Sequence, residues 1–299
     1  MEQILQLRRC QMVRVLLFFC CLVALPLPSL SQEGSNSRYT GPAFIFLWPG
    51  QSDSDARLNL DDPIVTDRPD FTEASSPVGK GVVQAEMGYT YYYDAASSPD
   101  DASHVYPELL LRSGVLADWL ELRVGQTLVT LDNPGDSSTG FADMYLGAKL
   151  GIVPQRGMLP ELSIVPQFTV PSGSTEQRAD RALYGVNFLY SWAVFLESYI
   201  GASTQFNQRE EDEGGDVYTS FAQALVTGTR WTSTWGSYAE WFALFSDSER
   251  GGDDAHYING GITYLFSKDI QLDVRLGTRL QGRFGEEIFS GIGLSVRYL

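Results

Sequence analysis

From Lys80 to the end of the chain, apolar and polar residues alternate with a period of two, and apolar recurrence at three and four is missing. In KGVVQAEMGYTYYYD, Val83, Ala85, Met87, Tyr89, Tyr91 and Tyr93 share one face, while Gln84, Glu86, Gly88, Thr90 and Tyr92 share the other. The runs ELLLRSGVL, WLELRVGQTL and GFADMYLGAKLGI repeat the pattern. PELSIVPQFTV, YGVNFLYSW, FLESYIGASTQF, VYTSFAQALVTG, SYAEWFALFS, HYINGGITYLF, DIQLDVRLGTRL and EIFSGIGLSVRYL are compatible with it. Together they predict about twelve strands of about nine to thirteen residues, the length of a tilted strand that crosses a bilayer.

The connections come in two kinds. Short ones fall at Ala117 to Trp119, near Ala193, at Thr232 to Thr234 and at Ser267 to Asp269, with a longer one at Pro154 to Pro160. Long polar ones fall between them, at Ala95 to Ser103, Asp132 to Gly140, Pro171 to Arg181, Asn207 to Asp216, Asp247 to Ala255 and Gln281 to Glu286. Strict alternation means two unlike ends. It predicts an all-β fold, an antiparallel transmembrane β-barrel with short periplasmic turns and longer extracellular loops. A soluble sandwich also alternates, but its inner face must be dry. Here the polar face carries Glu108, Arg112, Glu121, Arg123, Asp143, Lys149, Glu197, Glu240, Asp273 and Arg275, which a dry core could hold only at heavy desolvation cost. A watery lumen accommodates them, and these ten residues are the candidates for a polar, charge-selective constriction. A network of ion pairs that holds a small barrel shut is the competing reading.

The N-terminus supplies an address. Arg8, Arg9 and Arg14 precede VLLFFCCLVALPL, and SLS at Ser29 to Ser31 offers small residues for cleavage, so residues 1–31 read as a signal peptide. Cys10, Cys20 and Cys21, the three cysteines of the chain, lie in that segment, which leaves the exported part without a disulfide, a thiolate metal site or a cysteine nucleophile. Asp and Glu number 37 against 21 Lys and Arg, and the leader removes three of those bases and one acid. Such an acidic chain is unsuited to nucleic acid. Residues 32–79 form a lead-in to the barrel of residues 80–299. Within the lead-in, DDPIVTDRPDFTEASSPVGKG has no helical period, and Pro63, Pro69 and Pro77 disfavour one.

TDRPDFTEASSPVGKGVVQAEMGYTY resembles the opening of the outer-membrane barrel family of the MetA-pathway of phenol degradation. PELLLRSGVLADWLELRVG, AEW at Ala239 to Trp241, GGITYLFSKDIQLDVRLGTRL and the closing GIGLSVRYL are further likenesses in the same order, and they span most of residues 61 to 299. The resemblance implies an outer-membrane transporter or channel for passive passage of small molecules, with small aromatic or hydrophobic compounds as candidate permeants, and partners in outer-membrane lipid and the barrel-assembly machinery. Many such chains end in an aromatic residue; this one ends in Leu299, with Tyr298 before it.

Lying before the first strand, TDRPDF either stays at the periplasmic side or folds into the barrel mouth as a plug, with Asp67, Arg68 and Asp70 paired to lumen charges. A two-residue turn near Asp118 would set Arg112 opposite Arg123, with Glu121 diagonal to both; another register would set Arg112 opposite Glu121. A lipid hydrolase is the enzymatic alternative, resting on His104 and His256, and neither belongs to a nucleophile motif. No enzyme activity and no cofactor are expected. The acids of REEDEGG (Arg209 to Gly215) with Asp253 and Asp254 lack calcium-loop spacing and read as solvated, so no metal is expected. GPAFIFLWPG, residues 41–50, receives no assigned role. A closed structural or adhesive barrel is the remaining alternative.

Overall fold

The computed structural model describes residues 60–94, 101–133, 136–195, 197–210, 215–246, 254–282 and 287–298. The leader, the first part of the lead-in with residues 41–50, the acids at 211–214 and Asp253 lie outside the described residues. The strands are β1 (Val83–Asp94), β2 (Asp101–Val105), β3 (Leu109–Gly114), β4 (Leu120–Gln126), β5 (Leu128–Asn133), β6 (Asp136–Phe141), β7 (Met144–Val153) and β8 (Glu161–Val170). They continue with β9 (Leu183–Ala193), β10 (Ser198–Glu210), β11 (Val217–Arg230), β12 (Trp235–Ser246), β13 (Ala255–Ser267), β14 (Ile270–Gln281) and β15 (Ile288–Tyr298).

All pairings are antiparallel, and β15 pairs with β1 from Val83↔Tyr298 to Tyr93↔Ile288, which closes the sheet into a ring. Twelve wall strands result because three are interrupted. β1 pairs with β3 at its start and with β2 at its end, so β2 and β3 are two segments of one wall strand. Pro107, which has no N–H to give the ladder, stands between them. β4 with β5, and β6 with β7, are likewise split strands, since β5 pairs with β2 and β6 while β4 pairs with β3 and β7.

The period of two becomes two unlike surfaces. On β1, Gln84, Glu86 and Thr90 are buried towards the bore, while Val83, Met87 and Tyr89 are exposed outside. The outer wall continues through Leu122, Val124, Ile258, Ile262, Val274, Leu276 and Ile292, all exposed. Burial at the lumen face of a barrel requires something to cover it inside the bore. The lead-in covers much of it.

Candidate functional site

The chain enters at the short-turn end, periplasmic in barrels of this kind. The Ile64 amide donates to the Lys268 carbonyl at 2.7 Å, and the Arg297 guanidinium reaches the carbonyls of Leu60 at 3.2 Å and Asp62 at 2.9 Å. The segment then rises between β14 and β1, and Gln84 donates to the Val65 carbonyl at 2.9 Å. From Asp67 to Val78 it crosses the bore, and each part of TDRPDF meets a different sector of the wall.

Asp67 is the centre of the crossing. Its carboxylate lies 3.3 Å from Arg112 of β3, 2.8 Å from Arg123 of β4 and 2.9 Å from Lys149 of β7. Its amide and that of Arg68 donate to the Glu86 carboxylate at 3.0 Å. Arg112 in turn spans Glu86 at 2.9 Å and Glu121 at 2.8 Å, and donates to the Ser76 carbonyl at 3.1 Å. Arg112, Lys149, Glu86 and Glu121 are all fully buried. Burial alone would raise the Asp67 carboxyl, but Arg112, Arg123 and Lys149 together hold it below the usual carboxylate range. Glu73 lies 3.2 Å from Arg123, and there burial prevails and raises the carboxyl.

Arg68 points the other way, to the seam where the first and last strands meet. It pairs with Glu108 and, at 3.5 Å, with Asp273. Its guanidinium lies over Gly88 of β1 and Gly293 of β15, which face each other in the ladder. A methyl on either would overlap it, so two glycines in register clear the slot. Beside it, Arg275 donates to the Pro69 carbonyl at 3.0 Å and to Thr90 at 2.7 Å, and pairs with Glu108 at 3.2 Å.

Across the bore, the Glu240 carboxylate of β12 accepts from the amides of Phe71 and Thr72 at 2.7 Å, from the Thr72 hydroxyl at 2.7 Å and from Asn259 at 2.6 Å. The Phe71 ring stacks on Phe242 with centroids 4.5 Å apart, and Phe242 stacks on Tyr257 at 4.7 Å. Phe289, Ala224 and Ala255 complete this apolar cluster. Further on, Ser75 and Ser76 donate to Glu161 at 2.6 Å, and the Val78 amide donates to Glu121 at 2.9 Å before the chain joins β1.

Eight of the ten wall candidates therefore meet the lead-in directly or through one another. Arg112 does stand opposite Arg123, with Glu121 within 3.6 Å of Arg123. Three expectations need correction. Asp143 lies in the break between β6 and β7, where its carboxylate accepts from the amides of Ser172, Gly173 and Ala179 at 2.9–3.0 Å, so it fastens the β8–β9 loop and does not face the crossing. Glu197 takes a left-handed φ of 58° in the turn before β10, its side chain is 68% exposed, and its partner is Arg230 at 3.5 Å. Asp70 makes no ion pair among the described residues and lies beside Glu240; burial and that neighbouring carboxylate hold its carboxyl well above the usual range. Sequence reasoning passed over Glu86 and Glu161 as site residues, although Glu86 already stood on the polar face in mid-strand.

The two histidines lie in separate surroundings. His104 contacts Tyr89 at 2.8 Å and Asp132 at 3.3 Å near the long-loop end, and His256 packs on Trp241 and Phe245, with no serine bonded to either among the described residues. Among the described residues, no group of His, Cys, Asp and Glu is arranged to hold a metal.

A family model described as Putative MetA-pathway of phenol degradation matches residues 66–298. Among solved structures, an outer membrane channel of Pseudomonas putida F1 is similar over 75% of this chain and 98% of its own, with 13% identity and a TM-score of 0.64. The NanC porin is similar over 72% and 98%, with 11% identity and a TM-score of 0.50. No curated protein matches the chain.

Proposed function

Because the chain belongs to the MetA-pathway phenol-degradation family, we propose that it is an outer-membrane channel for small molecules whose bore is held shut at rest by residues 64–78 of its own lead-in. One observation carries the reading: Phe71, on the segment that crosses the bore, is seated against β12 by stacking on Phe242 and by the Glu240 carboxylate. A permeant must displace that ring or pass beside it. The surface it would then meet, Phe242, Tyr257 and Phe289, suits small aromatic or hydrophobic solutes. The wall candidates act in this reading as the clamp that positions the gate, so they set conductance through the plug and not as a bare charge filter. Outer-membrane lipid and the assembly machinery are the partners that such a barrel needs.

The test is solute uptake by liposomes that contain the refolded protein, with Phe71→Ala beside the native chain. Uptake of small neutral solutes that rises in the variant supports a gated channel. A folded barrel that admits nothing in either form would make it a closed structural barrel, the reading that the density of bonds from lead-in to wall favours.

A further inference from the structure

Between the lead-in and the periplasmic halves of β8 to β13 lies a cavity of about 600 Å³ that reaches the turns at Phe195 and Thr234. We propose that this cavity is a binding site for a small organic cation, seated on the ring face of Tyr199 beside the Asp70 carboxylate. It does not depend on conduction.

The floor of the cavity comes from one row of the ladder. Tyr199, Gly228, Tyr238 and Gly261 are direct neighbours on four successive strands and share the lumen face. The Tyr199 ring occupies the space where Gly228 has no side chain, and the Tyr238 ring does the same over Gly261. Each tyrosine therefore lies along the wall instead of crossing the bore. Both line the cavity, and Tyr199 is 38% exposed there. An aromatic face has a negative potential and attracts a cation, the more so when water is partly excluded.

The charges around Asp70 point the same way. Around it are Glu240 and Tyr238 from β12, Asp273 from β14, Tyr199 from β10 and Asp67 from its own segment, with Arg275 of β14 bonded to the carbonyl of the preceding Pro69. The nearby cations are committed elsewhere: Arg275 to Pro69, Thr90 and Glu108, Arg68 to Glu108 and Asp273, and Arg230, which lines the cavity at its β11 edge, to Glu197 at 3.5 Å. Among the described residues, Glu240 is held by amide, hydroxyl and carboxamide donors and pairs with no cation. An independent feature is the Tyr238 hydroxyl, which among the described residues is buried without a hydrogen-bond partner, in a residue only 7% exposed. A ligand with an N–H can donate to it. Burial and the Glu240 carboxylate disfavour the ionised form of Asp70, and a cation bound beside it would favour that form.

Equilibrium titration of the whole detergent-solubilised protein with trimethylammonium, against potassium as comparator, tests the site without any flux measurement. The expected result is saturable binding at pH 8, about tenfold tighter than for potassium and weaker at pH 5. Asp70→Asn and Tyr199→Leu should each weaken it about tenfold, while Tyr199→Phe keeps it and reports that the barrel is intact. Absence of saturable binding at pH 8 overturns the proposal. So does equal binding of potassium that is unchanged by Tyr199→Leu, since that is an acidic pocket with no use for a ring. Neither result bears on whether the barrel conducts, which the liposome assay reads separately.

Discussion

Two sectors of the bore hold the same segment by different means. On the side of β1, β3, β4 and β7, the lead-in meets Glu86, Arg112, Glu121, Arg123 and Lys149, a dry network in which charge answers charge. On the side of β10 to β13 it meets one carboxylate, Glu240, an aromatic stack, and below them a cavity. The first sector is costly to break by halves, because removing one ion leaves the others buried without a partner. The second rests on ring stacking and on neutral donors to a single carboxylate, so parting it uncovers one ion where the first sector would uncover several. The difference suits one wall to anchoring and the other to the movement that the proposed gate requires.

Breaking the anchor should produce the largest effect. Arg112→Ala leaves Asp67, Glu86 and Glu121 facing each other and is expected to cost about 3–5 kcal/mol, read as a lowered midpoint of unfolding and a lead-in that proteases reach. Next is the seam slot: Gly293→Ala pushes out the Arg68 guanidinium, with an expected loss of about 1–3 kcal/mol in the same assay. Glu240→Gln on the mobile side keeps the shape but weakens the bonds from Phe71 and Thr72, by about 1–2 kcal/mol, and should raise solute uptake more than it lowers the unfolding midpoint.

Acid separates the two sectors by sign. Asp67 is held low, so its contribution is complete above the ordinary carboxylate range and fades as pH falls through its lowered value. Asp70 is held high, so its docked form is favoured below the ordinary range and loses that advantage as pH rises through its raised value. Mild acidification should therefore tighten the segment around Asp70 while leaving the Asp67 clamp intact, a contrast measurable by amide exchange at 67–68 and 71–72. The smallest effect is expected from Glu197→Ala. Its exposed pair with Arg230 should contribute less than about 0.5 kcal/mol to stability.

The fold was legible because alternation over a dozen runs leaves no other way to place mid-strand charges, and a short turn at Asp118 restricts the Arg112 register. The seat of the lead-in among the wall charges left only a charged pattern in the sequence. Asp143 misled because GFADMYLG keeps its alternation across a break in the backbone, and Glu197 because FLESYIG alternates through a turn. Asp70 misled for a different reason: its neighbours, Glu240 and Asp273, come from strands far along the chain, and spacing near TDRPDF carries no trace of them. The glycine slot for Arg68 is similar, since Gly88 and Gly293 gain meaning only when the ends of the chain meet at the seam.

Amide hydrogen exchange on the native protein in detergent, followed at Asp67, Arg68, Phe71 and Thr72, tests the central claim most directly. A docked lead-in predicts protection at all four that approaches that of the barrel strands, with Arg112→Ala abolishing it at Asp67 and Arg68 first. Exchange at these four amides as fast as in an unfolded chain, while β1 and β15 stay protected, would contradict the account.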